Sequence, residues 1–304
     1  MGPLIGLVLL CLALSLTTDT FLTVRNILNV LDQITVLGIM AIGMTLVILI
    51  GGIDLSVGSV VCFSMVVSGA LFLMGLDPWT ASLIGIGASA LIGAAMGFFV
   101  TVIGLNHFIT SLAAMVIARG LCLVITKGTP LSLFSLPPGF KAIGQGSFGN
   151  VPYVIVIFVV VVAIFDFLLR RATAFRKVFY TGSNEKAAQF SGIKTKQVKF
   201  WVTVLCSTLA GFAGVIYMSR FGAATPTFGA GMELNIIAAA VIGGASLNGG
   251  SGTIFGAILG MALLSVVTSS LILLDVSVYW QDMIKGCILL AAVSIDHFLH
   301  RRKS

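Results

Sequence analysis

The chain has 304 residues, 58% of them hydrophobic and 9% charged, against roughly a quarter charged in an ordinary soluble domain, so water is not its main solvent. Seventeen Lys and Arg against ten Asp and Glu leave a net charge of +7. The basic residues are clustered rather than spread over one face, which makes them membrane-topology signals and excludes a nucleic-acid surface.

Apolar runs recur that are long enough to cross a hydrocarbon core of about 30 Å, for which roughly 20 helical residues suffice. They are continuous rather than alternating, and in lipid only helices or a closed barrel satisfy the backbone, so helices are expected. All five cysteines (Cys11, Cys62, Cys122, Cys206 and Cys287) lie alone in apolar segments. That spacing argues against disulfide, redox and zinc chemistry.

The first run, Leu4 to Leu16, has no basic residues ahead of it and is read as a short first span, with a truncated start, rather than a cleaved signal peptide. Further runs follow at Ile34 to Ile50, Val57 to Leu76, Thr80 to Gly104, Phe108 to Thr126, Val151 to Leu169, Phe200 to Met218, Leu234 to Val241, Thr253 to Leu274 and Val278 to Leu299. The expectation is an all-α polytopic membrane protein, a single domain over 1–304, with about ten transmembrane or partly re-entrant helices. Leu234 to Val241 is too short to cross alone, and the glycine-rich stretch from Gly243 to Gly250 beside it suits a half-helix packed inside protein.

Between the second and third runs lies Gly51-Gly52-Ile53-Asp54-Leu55-Ser56-Val57-Gly58-Ser59. The glycine pair ends one helix, and Asp54 or Ser56 can cap the next. The plain reading is capping at a membrane turn; the functional one is a pore-side or gating element. A second polar break, Gly104 to Thr110, carries Asn106 and His107, with His107 expected at the membrane interface. Arg119 in the following helix reads as half of an ion pair or as snorkelling toward the outer interface.

Residues 170–199 hold eight basic side chains and one acid, Glu185, and the tail ends Arg301-Arg302-Lys303. Both belong in the cytoplasm. Six segments precede the loop and four follow it, which places both termini inside and residues 127–150 outside. Within the loop, Ser183 or Asn184 suits a helix N-cap, Glu185 its first turn and Gly192 the position past its end. Helix pairs are expected to pack closely at Gly93 and Gly97, and at Gly252, Gly256 and Gly260.

Gly51 to Ser59, Arg119-Gly120, the Gly182 to Ile193 loop, and Glu233-Leu234 running on into Ile242 to Gly252 resemble the ribose, arabinose and xylose type of ATP-binding-cassette (ABC) transporter permease, over residues 20–296. The resemblance implies the ABC importer permease fold in a bacterial inner membrane. It implies a second permease subunit, identical or different, a cytoplasmic ATPase that uses the ATP, and a periplasmic sugar-binding protein. The chain itself would bind membrane lipid but no cofactor or metal. Asn184 to Ile193 would be the coupling helix, with Asn184, Glu185, Ala187, Ala188, Ser191 and Gly192 at the ATPase. Asp54, Ser56, Asn106, Phe108 and Thr110 sit at polar interruptions and are expected near the central pathway. The chain departs from the family's usual pattern at His107, where proline is common.

The rival transport reading is a secondary transporter or channel, which generally needs an ion relay or a selectivity ring. Pro78 to Ala118 and Leu234 to Leu274 carry no acid or base except His107. A membrane enzyme would need a nucleophile with its base or a metal cluster, and no GxxxxGK[ST] loop is present for ATP hydrolysis by this chain.

Overall fold

The computed structural model describes residues 2–277 and eight positions between 280 and 290. The helices are α1 (Gly2–Thr17), α2 (Val24–Leu49), α3 (Val57–Leu73), α4 (Pro78–Phe98, continued by a π-turn at Phe99–Ile103), α5 (His107–Thr126), α6 (Pro138–Gln145), α7 (Tyr153–Arg171), α8 (Thr173–Ser183), α9 (Glu185–Phe190), α10 (Thr195–Phe221), α11 (Met232–Ile242) and α12 (Ile254–Leu273). Among the described residues, α2, α4 with its extension, α5, α7, α10 and α12 are long and apolar enough to cross a membrane, and α1, α3 and α11 are shorter apolar helices. The chain is therefore an all-α multi-pass membrane protein. The expected last span, Val278 to Leu299, lies largely outside the described residues, and the basic tail lies wholly outside them.

α10 is central, packing on α2, α3 and α4, while α12 lies against α2 and α11 and α5 lies against α3. From Val36 to Leu49, α2 is buried at every position but Leu37, and a helix enclosed this way is apolar all round. Gly93 and Gly97 lie against α10, and Gly256 and Gly260 lie against the α11 region, so the small-residue spacing marks helix contacts.

Two boundaries differ from the apolar runs for a common reason. α2 begins ten residues before Ile34, at Val24, because its polar residues are satisfied by distant partners. Asp32 pairs with Arg220 at 2.9 Å, and Asn26 Oδ1 accepts from Ser269 Oγ at 2.9 Å. α10 likewise begins at Thr195, where Lys196 and Lys199 occupy its first turns. Two helices outside the apolar runs, α6 and α8, complete the ends of the bundle.

Residues 127–152 form a structured cap rather than a free loop. Leu131 and Ser132 pair antiparallel with Ala224 and Ala223, Phe140 is buried against Trp79, and Ser219 Oγ donates to Phe140 O at 2.8 Å. This cap sits at the end of α10 opposite to α8 and α9.

Candidate pathway and coupling surface

Residues 50–56 interrupt the passage from α2 to α3 inside the bundle. Their amides and carbonyls must find partners there, since an unpaired buried backbone group costs free energy comparable to a lost hydrogen bond. Gly51 N and Gly52 N fold back to Ile48 O and Val47 O at 2.8 and 2.9 Å. Ile53 O and Leu55 N are served by the start of α5. His107 Nδ1 donates to Ile53 O at 2.9 Å, Ser111 Oγ stands 3.2 Å from the same carbonyl, and Leu55 N donates to Ser111 Oγ at 3.1 Å.

His107 Nε2 meets Thr203 Oγ1 of α10 at 3.1 Å. The ring of His107, expected at the membrane interface, is a strut between the break and α10, with a protein partner on each nitrogen. His107 and Ser111 are functional candidates that sequence reading missed, because their partners lie 54 to 96 residues away along the chain.

Asp54 is fully buried. Its Oδ1 accepts from Ser56 N at 2.8 Å and Ser56 Oγ at 2.6 Å; Oδ2 is buried with no hydrogen bond among the described residues. Neither side chain bonds the free amides of α3. Ser56 occupies the N-cap position without a side-chain cap bond, and Asp54 fixes that residue rather than the helix. Both candidate caps are corrected accordingly.

A second interruption, residues 222–231, joins α10 to α11. Arg119 Nη1 donates to the carbonyls of Pro226 and Phe228 at 2.9 and 2.6 Å. Among the described residues Arg119 forms no ion pair; it satisfies unwound backbone. The second interruption meets the first turn of α3 through Gly229 and Gly58, each placed so that a β-carbon would strike the other's carbonyl oxygen. Only glycine permits that approach. Arg119→Met is expected to lower the melting temperature of the purified protein, because stranding buried acceptors costs about 1–3 kcal/mol each. An unchanged melting curve would show that the loop finds other donors.

A cavity of about 460 Å³ opens beside the first interruption, with Gly51, Gly52, Asn106, His107, Phe108 and Lys199 on its walls. Of the predicted pathway residues, Asn106 and Phe108 line it. Asn106 also caps α5, accepting from Phe108 N at 2.8 Å. Asp54 and Ser56 lie buried behind that wall, and Thr110 is buried with its hydroxyl on Asn106 O at 2.9 Å.

At the other candidate surface, Asn184 is the N-cap of α9, its Oδ1 accepting from Ala187 N at 3.0 Å; Ser183 instead ends α8. Gly192 follows α9 with φ of +80°, the left-handed geometry that glycine adopts without strain. Ser191 Oγ returns to Ala187 O at 3.0 Å. Glu185 pairs with Lys199 of α10 at 2.6 Å. At 39% and 24% side-chain exposure such a pair contributes under about 1 kcal/mol, so its effect is to orient α9 rather than to stabilise the fold. Ala187 is exposed, whereas Ala188 faces inward at 5% exposure. Phe190, absent from the sequence-based candidates, is 93% exposed.

α8 joins this surface to the first interruption through close main-chain contacts. Gly250 N donates to Leu49 O at 2.9 Å, and a β-carbon on Gly182 would collide with both atoms. Gly249, beside them, would strike Gly51 N and Gly182 O in the same way. The end of α2, the end of α8 and the turn before α12 are thus clasped backbone to backbone.

The family described as the branched-chain amino acid transport system, permease component, matches residues 26–293. The chain is 39% identical over 304 residues to the ribose import permease protein RbsC of Bacillus subtilis, covering 100% of this chain and 93% of that one. It is 35% identical to the L-arabinose ABC transporter permease protein AraH of Azospirillum brasilense, over 99% of this chain and 88% of that one. Against the D-allose transport system permease protein AlsC of Escherichia coli it is 34% identical, over 94% and 88%. No solved structure matches.

Proposed function

Since the chain belongs to this family of transport permeases, and is accordingly a membrane transport subunit rather than a catalytic enzyme, we propose that it passes a monosaccharide across the bacterial inner membrane by alternating access. ABC import systems of this family supply the ATPase and the solute-binding protein; this chain supplies the path. One observation carries the reading: the cavity walled by Asn106, His107 and Phe108 lies on the non-helical junction of α2 and α3. Polar atoms gathered at such a junction suit a hydroxyl-rich, uncharged solute, which needs hydrogen-bond partners but no counter-charge.

The outer face of α5 supports pairing with a second permease. Ile109, Val116 and Ile117 are each 62% exposed and Val124 is 75% exposed, on the helix whose first turn walls the cavity. A second copy, or a related subunit, placed there completes the enclosure that a one-sided cavity lacks.

Coupling runs from α9 inward. Asn184 caps α9, Glu185 is tied to α10, and Ala187, Ser191 and Phe190 face outward for the ATPase, with Gly192 turning the chain back. A push on α9 passes through α8 to the clasp at Leu49, Gly182 and Gly250 and so to the Gly51 break beside the cavity. Asp54 and Ser56 shape that break from behind, and Thr110 holds the first turn of α5.

Uptake of labelled ribose, arabinose and allose, in cells that lack their own permeases but express this chain with its ATPase and binding protein, tests the reading. Uptake of at least one sugar that stops when the ATPase is inactivated is expected. Uptake that persists without ATP hydrolysis, driven by an ion gradient, would overturn it.

The basic segment 170–199 supports a topology with α8, α9 and both termini in the cytoplasm and the 127–152 cap outside. A Ser191→Cys variant should be labelled by an impermeant thiol reagent only from the cytoplasmic face. Labelling of intact cells from outside would reverse the orientation.

A further inference from the structure

We propose that the groove between α8 and the start of α10 is a binding site for one anionic phospholipid. The groove has a volume of about 510 Å³, within the range of about 300–1,000 Å³ typical of small-molecule sites. Its lining is amphipathic: Lys177 and Lys194 share it with Phe175, Trp201, Val202 and Leu205.

From Lys194 to Leu205 is eleven positions, about 16 Å along a helix rising 1.5 Å per residue, enough for a phosphate, the glycerol and the upper part of an acyl chain. Free phosphate or a soluble acid would use only the lysines and leave the apolar walls unused. Trp201 is 61% exposed, and tryptophan is enriched where a membrane meets water.

Charge complementarity selects the headgroup. The nearby acids are spent: Asp166 pairs with Arg170 at 2.7 Å and Glu185 with Lys199 at 2.6 Å. Lys177 and Lys194 are exposed and form no ion pair among the described residues. Two unneutralised cations above an apolar groove match an anionic headgroup over acyl chains. The groove also includes Gly192, the residue after α9, so the lipid would touch the turn on which the coupling surface pivots.

The inference rests on the reading that this end of the bundle meets a leaflet surface, but its test does not need to know which leaflet. Full-length permease carrying Trp79→Phe and Trp280→Phe, so that Trp201 alone of the three tryptophans reports, is placed in nanodiscs of phosphatidylcholine with the same composition in both leaflets. Chain-brominated phosphatidylglycerol is then added and compared with chain-brominated phosphatidylcholine. The anionic lipid should quench Trp201 well beyond its mole fraction, and Lys177→Gln with Lys194→Gln should weaken that preference about five-fold per lysine, the attraction a basic residue carries at an anionic leaflet.

Equal quenching by the two lipids, or a preference untouched by the double glutamine variant, would overturn the site. Displacement of the quencher by inorganic phosphate would show a water-open phosphate site instead and also defeats the proposal. Native mass spectrometry of the unmodified protein, counting retained phosphatidylglycerol, gives a second reading that does not depend on the tryptophan variants. A failed sugar-uptake experiment would leave these results unchanged, and reversed insertion would too.

Discussion

Gly182→Val should abolish uptake and lower both the yield and the melting temperature of the permease, the largest effect expected of any single substitution at the α8–α9 end of the bundle. A β-carbon at Gly182 has no room, because it would fall on Leu49 O and Gly250 N, which are themselves bonded at 2.9 Å. Those contacts are main chain, so no rotamer change can relieve them. Overpacking commonly costs about 1–3 kcal/mol where side chains can give, and here the Leu49 to Gly250 bond must also open. Gly87→Ala is the matching control, since a β-carbon at Gly87 in α4 has no neighbour within contact range; it should leave uptake intact. Normal melting and normal uptake in Gly182→Val would show that the three segments are not held together there.

The opposite pattern is expected of Phe190→Asp: normal yield and melting, with loss of ATPase co-purification and of uptake. The ring is 93% exposed, so removing it costs the isolated chain nothing, while a charge in its place would be buried by a partner. An exposed aromatic that anchors an interface contributes about 2 kcal/mol or more when truncated, near thirty-fold in affinity. Ala188→Trp should behave the other way round, destabilising the permease itself, because Ala188 packs inward. Full assembly and uptake by Phe190→Asp would remove α9 from the ATPase interface.

The apolar runs made most of the bundle legible in the sequence, because a lipid-spanning helix announces itself by composition over a local window. Asn184, Glu185 and Gly192 marked α9 for a similarly local reason: a cap, a first-turn acid and a terminal glycine are all read within ten residues. What escaped was non-local. Nothing near Asp32 indicates that Arg220 neutralises it, so the first turns of α2 looked too polar to belong to a helix. Arg119 carried a correct signal, an expensive cation in an apolar helix, but its acceptors are carbonyls of a loop that only folding brings near. Of the proposed pathway residues, Asn106 and Phe108 reach the cavity, whereas Asp54, Ser56 and Thr110 shared the polar-break signature without reaching it. A break in a helix says that backbone needs partners; it does not say which side of the break is wet.

The clasp at Leu49, Gly182 and Gly250 has a mechanical consequence. Side chains in contact can absorb a small displacement by hopping between staggered wells, so a linkage built from them has play. A linkage of main-chain atoms, with glycines and no intervening rotamers, has almost none: it moves as one piece or it breaks. A stroke delivered to α9 therefore reaches the end of α2 with little loss. The first place where the chain can yield is Gly51-Gly52, where regular helix bonding has already stopped and where the cavity wall begins. On the proposed reading, the hinge and the solute's compartment are the same few residues.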